Sequence, residues 1–372
     1  MKKRIMITIL DSINQTTMPY NEFILYRNKH YKEEQQVLIL TGNEIVIPES
    51  QIPDDLIIYK CGKNPFVIRT ALKEIKKKAK QDKQEIVIHL HSIRGAFSTF
   101  LAMIGLELRK CTIYSIHSTF PGFRLHNKLF CLMNVLLANN VTCVSNTSYS
   151  RFPSLVKRLK GKKMIALQNG VNEERIDHVV VNYKRLENDF LRFVYVARLI
   201  PLKNHSFLVD VLADLPRDLK VKFVFIGLED SENRIRKYAV EKSVIDRIEF
   251  TGLVPREQVY NHLFQSDVYI SSSTLEGLPI SVLEGMYCGL PAILSDIPQH
   301  REVGENCDAV SILPFIIKEW AKKIIELYDM KKDERRMLGI RGRKYVVNHF
   351  SLKRMHENYD IIYSDIRISN VK

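Results

Sequence analysis

Short apolar runs rich in β-branched residues punctuate the first half of the chain at near-regular intervals. RIMITIL (4–10), QVLIL (36–40), LIIY (56–59), EIVIHLH (85–91), CTIYSIH (111–117), VTCVS (141–145) and KMIAL (163–167) read as strands. Helical patterns fall between several of them, at 66–80, 95–109, 123–139 and 146–160. The rhythm returns in the second half. LRFVYVA (191–197), VKFVFIG (221–227), RIEFTG (247–252), DVYISSS (267–273) and PAILS (291–295) predict strands. Helices are expected at about 203–214, 231–241, 256–264, 279–288 and 315–329, with a tail helix from Ser351 to about Arg367. Strands that are apolar throughout, rather than alternating, belong to parallel sheets covered by helices on both faces.

Between the halves, QNGVNEERIDHVVVNYKRLEND (168–189) is polar, carries an Asn-Gly turn and loses the periodicity, which predicts a linker. Two α/β lobes follow, over 1–181 and 182–354, with a helix over 355–372 packing back on the first lobe. A length of 372 residues suits two cores of ordinary size. The 45% hydrophobic and 26% charged content is that of a globular protein and excludes a disordered or low-complexity chain.

Charge changes this picture because it is uneven. Residues 1–183 hold 27 Lys+Arg against 15 Asp+Glu, whereas the remainder holds 29 against 27. A cationic first lobe fits an anionic membrane surface, a phosphate-bearing acceptor or nucleic acid, or is simply a solvated lysine-rich face. The chain has neither an RNP-like aromatic motif nor a zinc-finger spacing, so nucleic acid is not expected as a partner. Helix 123–140, with its ten-residue apolar run, and the lysine-rich helix 66–80 are the candidate membrane contacts. Six scattered cysteines form no CxxC pair, and MKKRIMITILDS is too short in apolar residues for a signal-peptide core. With no membrane-spanning run, the expected location is cytoplasmic, peripheral on the inner face of the plasma membrane.

Two segments of the second half carry candidate chemistry. In VYVARLIPLKNHSFLV (194–209), Arg198 and Lys203 follow a strand end and can clamp an anion. In SSSTLEGLPISVLEGMYCGLP (271–291), Glu276 and Glu284 flank a Gly277-Leu278-Pro279 turn that opens a helix. Amides in that first turn attract phosphate. Glu284 sits among apolar neighbours, where an idle carboxylate is costly and an acceptor for a vicinal diol such as ribose is useful. An HxH pair, His89 and His91, has metal-compatible spacing but no third ligand nearby in the sequence, and no D-x-D motif is present to hold a divalent ion. No metal or other cofactor is expected.

Arg198 and Lys203, TGLVPREQV (251–259), the E-x7-E element of Glu276 and Glu284, and SDIPQHREV (295–303) together resemble the retaining glycosyltransferases of family four. IHLHS (88–92), YSIHSTF (114–120), VTCVSNTS (141–148) and QNGVN (168–172) extend the likeness into the first half more loosely. The resemblance implies an α/β fold of the GT-B type, two Rossmann-like αβα lobes facing a central cleft. It implies a metal-independent hexosyl- or N-acetylhexosaminyl-transferase that moves a sugar from a nucleotide sugar, a UDP-sugar, to a glycan or lipid-linked glycan in cell-surface polysaccharide assembly. Arg198 and Lys203 would neutralise the donor diphosphate, with amides after Glu276 on its distal phosphate. Glu284 would bind the ribose, Glu276 the transferred sugar, Gly252-Leu253-Val254 the base, and His117 would face the donor sugar. His91 and Arg94 would lie on the acceptor side. The family's glycine-rich loop after the first strand is replaced here by DSINQTTMPYNEF (11–23), and FIGLEDSE (225–232) holds only Gly227. An epimerase of the same fold and a basic nucleic-acid-binding protein are the rival readings.

Overall fold

The computed structural model describes residues 3–14, 20–46, 52–181 and 189–370. The chain divides into two compact units, Met1–Asn169 with Lys353–Lys372, and Gly170–Leu352. Each is built on one parallel sheet.

In the first unit the strands are β1 (Arg4–Asn14), β2 (Glu34–Val46), β3 (Ile57–Lys60), β4 (Glu85–Leu90), β5 (Thr112–Ile116), β6 (Asn140–Cys143) and β7 (Met164–Ala166), in the order β3-β2-β1-β4-β5-β6-β7. β1 pairs in parallel with both neighbours, Thr8 lying opposite Leu38 on one side and His89 on the other. Every residue of β5 is buried, so both faces of the sheet must be covered. The helix Pro65–Gln81 supplies part of that cover through Ile68, Ala71, Leu72, Ile75 and Ala79, spaced three and four apart.

The second unit holds β8 (Leu191–Val196), β9 (Val221–Ile226), β10 (Ile248–Gly252), β11 (Val268–Ser271), β12 (Ala292–Ser295) and β13 (Val310–Leu313), in the order β10-β9-β8-β11-β12-β13. In both sheets the chain begins at a central strand, runs to one edge, and then crosses back. The order reverses between β1 and β4, and between β8 and β11. Such reversals leave a crevice beyond the carboxyl ends of the strands, where open parallel sheets bind ligands.

Several expectations need correction. The unit boundary falls at 169/170, not at 181, because residues 173–180 form a helix rather than a linker. Asn172 Oδ1 caps that helix by accepting from Arg175 N at 3.1 Å, and Ile176 and Val179 are buried. Arg175 and Asp177 also bond Tyr260 and Tyr287 of the same unit. The rest of the expected linker, 182–188, lies outside the described residues, as do 15–19 of the segment after β1. The expected helix 146–160 is split at Pro153 into Asn146–Ser150 and Ser154–Lys160, and helix 95–109 stops at Ala102.

β13 and the helices Tyr20–His30 and Lys332–Phe350 were not anticipated. Lys332–Phe350 has a weak apolar stripe because part of its buried face is glycine. A Cβ on Gly339 would sit 1.8 Å from the Gly289 carbonyl, so close backbone packing replaces side-chain burial there.

The final helix, Leu352–Asn370, packs on the first sheet from residue 353 onward. Tyr359 OH lies 3.0 Å from Ser115 Oγ, Tyr363 OH lies 2.9 Å from His89 Nδ1, and Asp360 accepts from the buried Arg27 at 2.9 Å. No described helix is long and apolar enough to cross a membrane.

Candidate functional site

In the second unit, β8 ends at Val196 and leads to an exposed Arg198, then through a 3-10 turn (Pro201–Lys203) into the helix His205–Asp214. Asn204 joins the two with left-handed backbone, φ 50°. The turn is fastened to the loop after β11. Ser272 Oγ donates to the carbonyls of Lys203 (3.1 Å) and Asn204 (2.8 Å), Tyr195 OH donates to Lys203 O (3.0 Å), and Thr274 N donates to Leu202 O (2.9 Å). These bonds bring Lys203 against Glu276. Lys203 Nζ donates to Glu276 Oε1 at 2.5 Å, and Ser273 Oγ donates to the same oxygen at 2.6 Å. The lysine side chain is 20% exposed and the glutamate 13%, so the pair is sheltered but reachable. Arg198, expected to share an anion with Lys203, has no ion-pair partner among the described residues.

Beneath this loop, Ser295 Oγ donates to Ser273 O at 2.5 Å, and His300 Nδ1 lies 2.9 Å from Ser295 O. Burial pushes His300 down to about 4, so near neutral pH it is an uncharged prop for the loop.

The helix Ile280–Tyr287 follows, with half-buried Gly277, buried Leu278 and buried Pro279 at its entrance. The Ile280 amide already donates to Leu278 O at 2.9 Å. Gly285 lets the helix lie on β11, since a Cβ there would meet the Tyr269 ring at 2.3 Å. Glu284 is thereby carried inside, only 3% exposed. Its Oε1 accepts from Arg256 Nη2 and, at 3.0 Å, from Tyr260 OH. Tyr260 OH in turn accepts from Arg256 Nε (3.0 Å) and Arg175 Nη2 (2.5 Å). Burial opposes the Arg256 charge, yet Glu284 and Tyr260 hold its pKa above the ordinary arginine value. Glu284 Oε2 is buried with no hydrogen bond among the described residues. A buried carboxylate oxygen left open is costly without a donor, and a ligand hydroxyl satisfies it. On β10, Gly252 takes φ 67° while its carbonyl accepts from Gly227 N at 3.0 Å; Leu253 beyond it is 61% exposed and Val254 half-buried.

In the first unit, the expected His91, Arg94 and His117 follow β4 and β5. His91 Nδ1 and His117 Nε2 are 2.9 Å apart, so one donates to the other. Burial holds His91 down to about 3; burial and then His91 hold His117 well below its ordinary value. Both are neutral imidazoles. His89 uses both nitrogens, toward Tyr363 OH and, at 2.6 Å, Ser115 Oγ, so the HxH pair does not offer two ligands to an ion. Among the described residues no group of three His, Cys, Asp or Glu is placed to hold a metal. Arg94 is exposed in the first turn of the helix Ile93–Ala102.

Sequence reasoning missed Arg175, Tyr260 and Asp11. Arg256 stood inside the quoted TGLVPREQV motif without a role. Asp11, inside β1 where its pairing with β2 is irregular between Leu10 and Ser12, accepts from Thr41 Oγ1 and Ser92 Oγ, each at 2.7 Å. Its position just after an apolar run was the available signal.

Residues 181–345, within the second unit, match the family "Glycosyl transferases group 1". The capsular polysaccharide biosynthesis glycosyltransferase CapH of Staphylococcus aureus is 28% identical over 214 residues, 56% of this chain and 58% of CapH. An Escherichia coli protein, UDP-Gal:alpha-D-GlcNAc-diphosphoundecaprenol alpha-1,3-galactosyltransferase, is 23% identical over 335 residues, 80% of this chain and 79% of its own length. Among solved structures, Anabaena Alr3699/HepE in complex with UDP and glucose superposes with a TM-score of 0.74 over 97% of this chain and all of HepE, at 14% identity. The fold is that of the GT-B glycosyltransferases.

Proposed function

We propose that the protein is a retaining glycosyltransferase that moves a sugar from a UDP-sugar to a glycan or lipid-linked glycan acceptor during cell-surface polysaccharide assembly. The observation that carries this reading is Glu284. Its carboxylate is buried at a sheet's reversal point, one oxygen braced by Arg256 and Tyr260 and the other open. That is an acceptor oriented for one ligand hydroxyl, and a nucleotide ribose supplies it. Glu276, tied to Lys203, orients hydroxyls of the transferred sugar, with Gly252-Leu253-Val254 toward the base. The UDP in the HepE complex and the UDP-Gal in the name of the Escherichia coli relative favour uridine. Retention of anomeric configuration rests on the family resemblance alone.

As the nucleoside diphosphate leaves, charge grows on its distal phosphate. Arg198, Lys203 and the amino end of helix Ile280–Tyr287 provide positive potential for it, and preorganised donors of this kind are usually the largest catalytic contribution. The reaction therefore needs no divalent ion. The exposed Leu125 and Leu129 beside Lys128 suit peripheral contact with an anionic membrane. A panel of nucleotide sugars scored for slow donor hydrolysis tests the proposal: one UDP-sugar should be consumed well above the others, and a panel with no donor bound or hydrolysed overturns it.

A further inference from the structure

Glu284 is held by a longer chain of side chains than its own two contacts. Arg256 and Tyr260 stand one turn apart on the helix Arg256–Phe264, so both reach the same side of it. Tyr260 OH is the hub. Arg256 Nε donates to the phenol oxygen at 3.0 Å, and Arg175 donates to it twice, from Nε at 3.1 Å and from Nη2 at 2.5 Å.

The direction of each bond follows from the groups involved. A guanidinium has N–H donors and no acceptor, so neither arginine can take the Tyr260 proton. Glu284 Oε1, 3.0 Å away, can, and the phenol donates to it. The arginine N–H groups fill the lone pairs of the phenol oxygen, which leaves its hydroxyl little reason to turn elsewhere. Glu284 Oε1 thus receives two donors, from Arg256 and Tyr260, while Oε2 receives none among the described residues. Hydrogen bonds that run in one direction through a buried network strengthen one another.

Arg175 is the member of this network that does not touch Glu284, yet its place is fixed relative to it. Its helix, Glu173–Val180, is fastened to the helix Ile280–Tyr287 that carries Glu284. Asp177 accepts from Tyr287 OH at 2.7 Å and from Arg343 Nη2 at 2.6 Å, and Arg343 Nη2 also donates to Tyr287 OH at 3.0 Å. Tyr287 lies three residues after Glu284, on the neighbouring turn. The helix Glu173–Val180 therefore grips Ile280–Tyr287 at two successive turns, directly at Tyr287 and through Tyr260 at Glu284.

We propose that Arg175 is a positioning residue for the donor nucleotide. Acting through Tyr260, it fixes the Glu284 carboxylate so that Oε2 faces a ribose hydroxyl, and the preference for ribose over deoxyribose depends on it. The proposal rests on the transferase reading and adds a residue from a helix that lies outside the loops expected to hold the donor.

The first measurement is calorimetric titration of UDP and of 2′,3′-dideoxyuridine diphosphate into the full chain. Wild type should prefer UDP. Arg175→Met should lose about three- to tenfold in UDP affinity, the effect of weakening one hydrogen bond, and little with the dideoxy nucleotide. Arg175→Lys, which keeps one donor, should recover part of the loss. Unchanged UDP affinity in Arg175→Met, or an equal loss on both nucleotides, overturns the proposal. So does a wild type that binds both nucleotides equally.

The second measurement needs no ligand. Urea unfolding of Arg175→Met, Glu284→Gln and the double variant should give effects that fail to multiply by at least about threefold, because the two residues share one network. Simple multiplication overturns the proposal. If Arg175→Met does not fold, Arg175→Lys carries both comparisons. UDP failing to bind wild type would instead defeat the transferase reading, and the unfolding comparison would still decide whether Arg175 acts on Glu284.

Discussion

The two sheets reverse direction in the same way, yet the charges collected at the two reversal points are organised differently. In the second unit every carboxylate of the site has a cation: Glu276 holds Lys203, and Glu284 holds Arg256. In the first unit Lys63, Arg94 and Arg124 line one cavity and have no ion-pair partner among the described residues, and the buried His91 beside them is neutral. A pre-paired site is rigid and selective. Its charges are already oriented, and a ligand completes them rather than creating them. A site of unpaired cations draws its anion from solution and gives orientation only when filled. The first arrangement suits a ligand whose atoms must be held in fixed positions, and the second suits an anion that is captured and held. That difference can be tested at several points.

The largest effect is expected at Lys203. If Lys203 acts as proposed, as a donor to developing phosphate charge, Lys203→Ala should lower turnover about 100- to 1,000-fold with a small change in donor affinity. Full turnover in steady-state assays would mean that the Lys203–Glu276 pair is structural. Arg256→Met leaves Glu284 buried without its cation and should lower unfolding free energy by about 3 kcal/mol in urea titrations. Adding Glu284→Gln to it should restore part of the loss. Glu284→Ala should mainly weaken UDP binding, by roughly 1.5–3 kcal/mol for a charged hydrogen bond; unchanged UDP affinity would remove the ribose assignment.

Acid separates the two units more gently. His91 and His205 are held down to about 3 by burial, and His300 to about 4. The unfolded chain protonates such histidines near 6.5 while the folded one does not, so stability falls as pH drops from about 6.5 toward 3. Each group removes about 1.4 kcal/mol per pH unit once below its unfolded pKa. His89, His117 and His356 of the first unit are also lowered by burial, so its amides should lose hydrogen-exchange protection at a higher pH than those of the second unit. Equal loss would show that the buried histidines do not distinguish the units. The smallest expected effect is none: a chelator should leave turnover unchanged, and loss of activity restored by Mg²⁺ would refute the metal-free reaction.

Much of this was legible in the chain. Twelve of the thirteen strands among the described residues follow from apolar runs, because a strand buried on both faces needs such residues and little else does. β13 escaped because VSIL is only half-buried and sits at a sheet edge. Helix Lys332–Phe350 escaped because glycine contact leaves no apolar stripe. Glu276 and Glu284 were recognisable from their spacing around a Gly-Leu-Pro turn and from the apolar residues beside Glu284.

Their partners were not recognisable. Arg256 and Tyr260 lie 28 and 24 residues from Glu284, and Asp11 lies 81 from Ser92. Sequence determined the local facts: which segments could be strands, where helices could start, and which acids stood in apolar surroundings. Only the folded sheets decided which charge met which. Parallel crossovers bring together strand ends that are far apart in the chain, and pairing energy depends on a few ångströms of distance and on burial, neither of which is written in the order of residues.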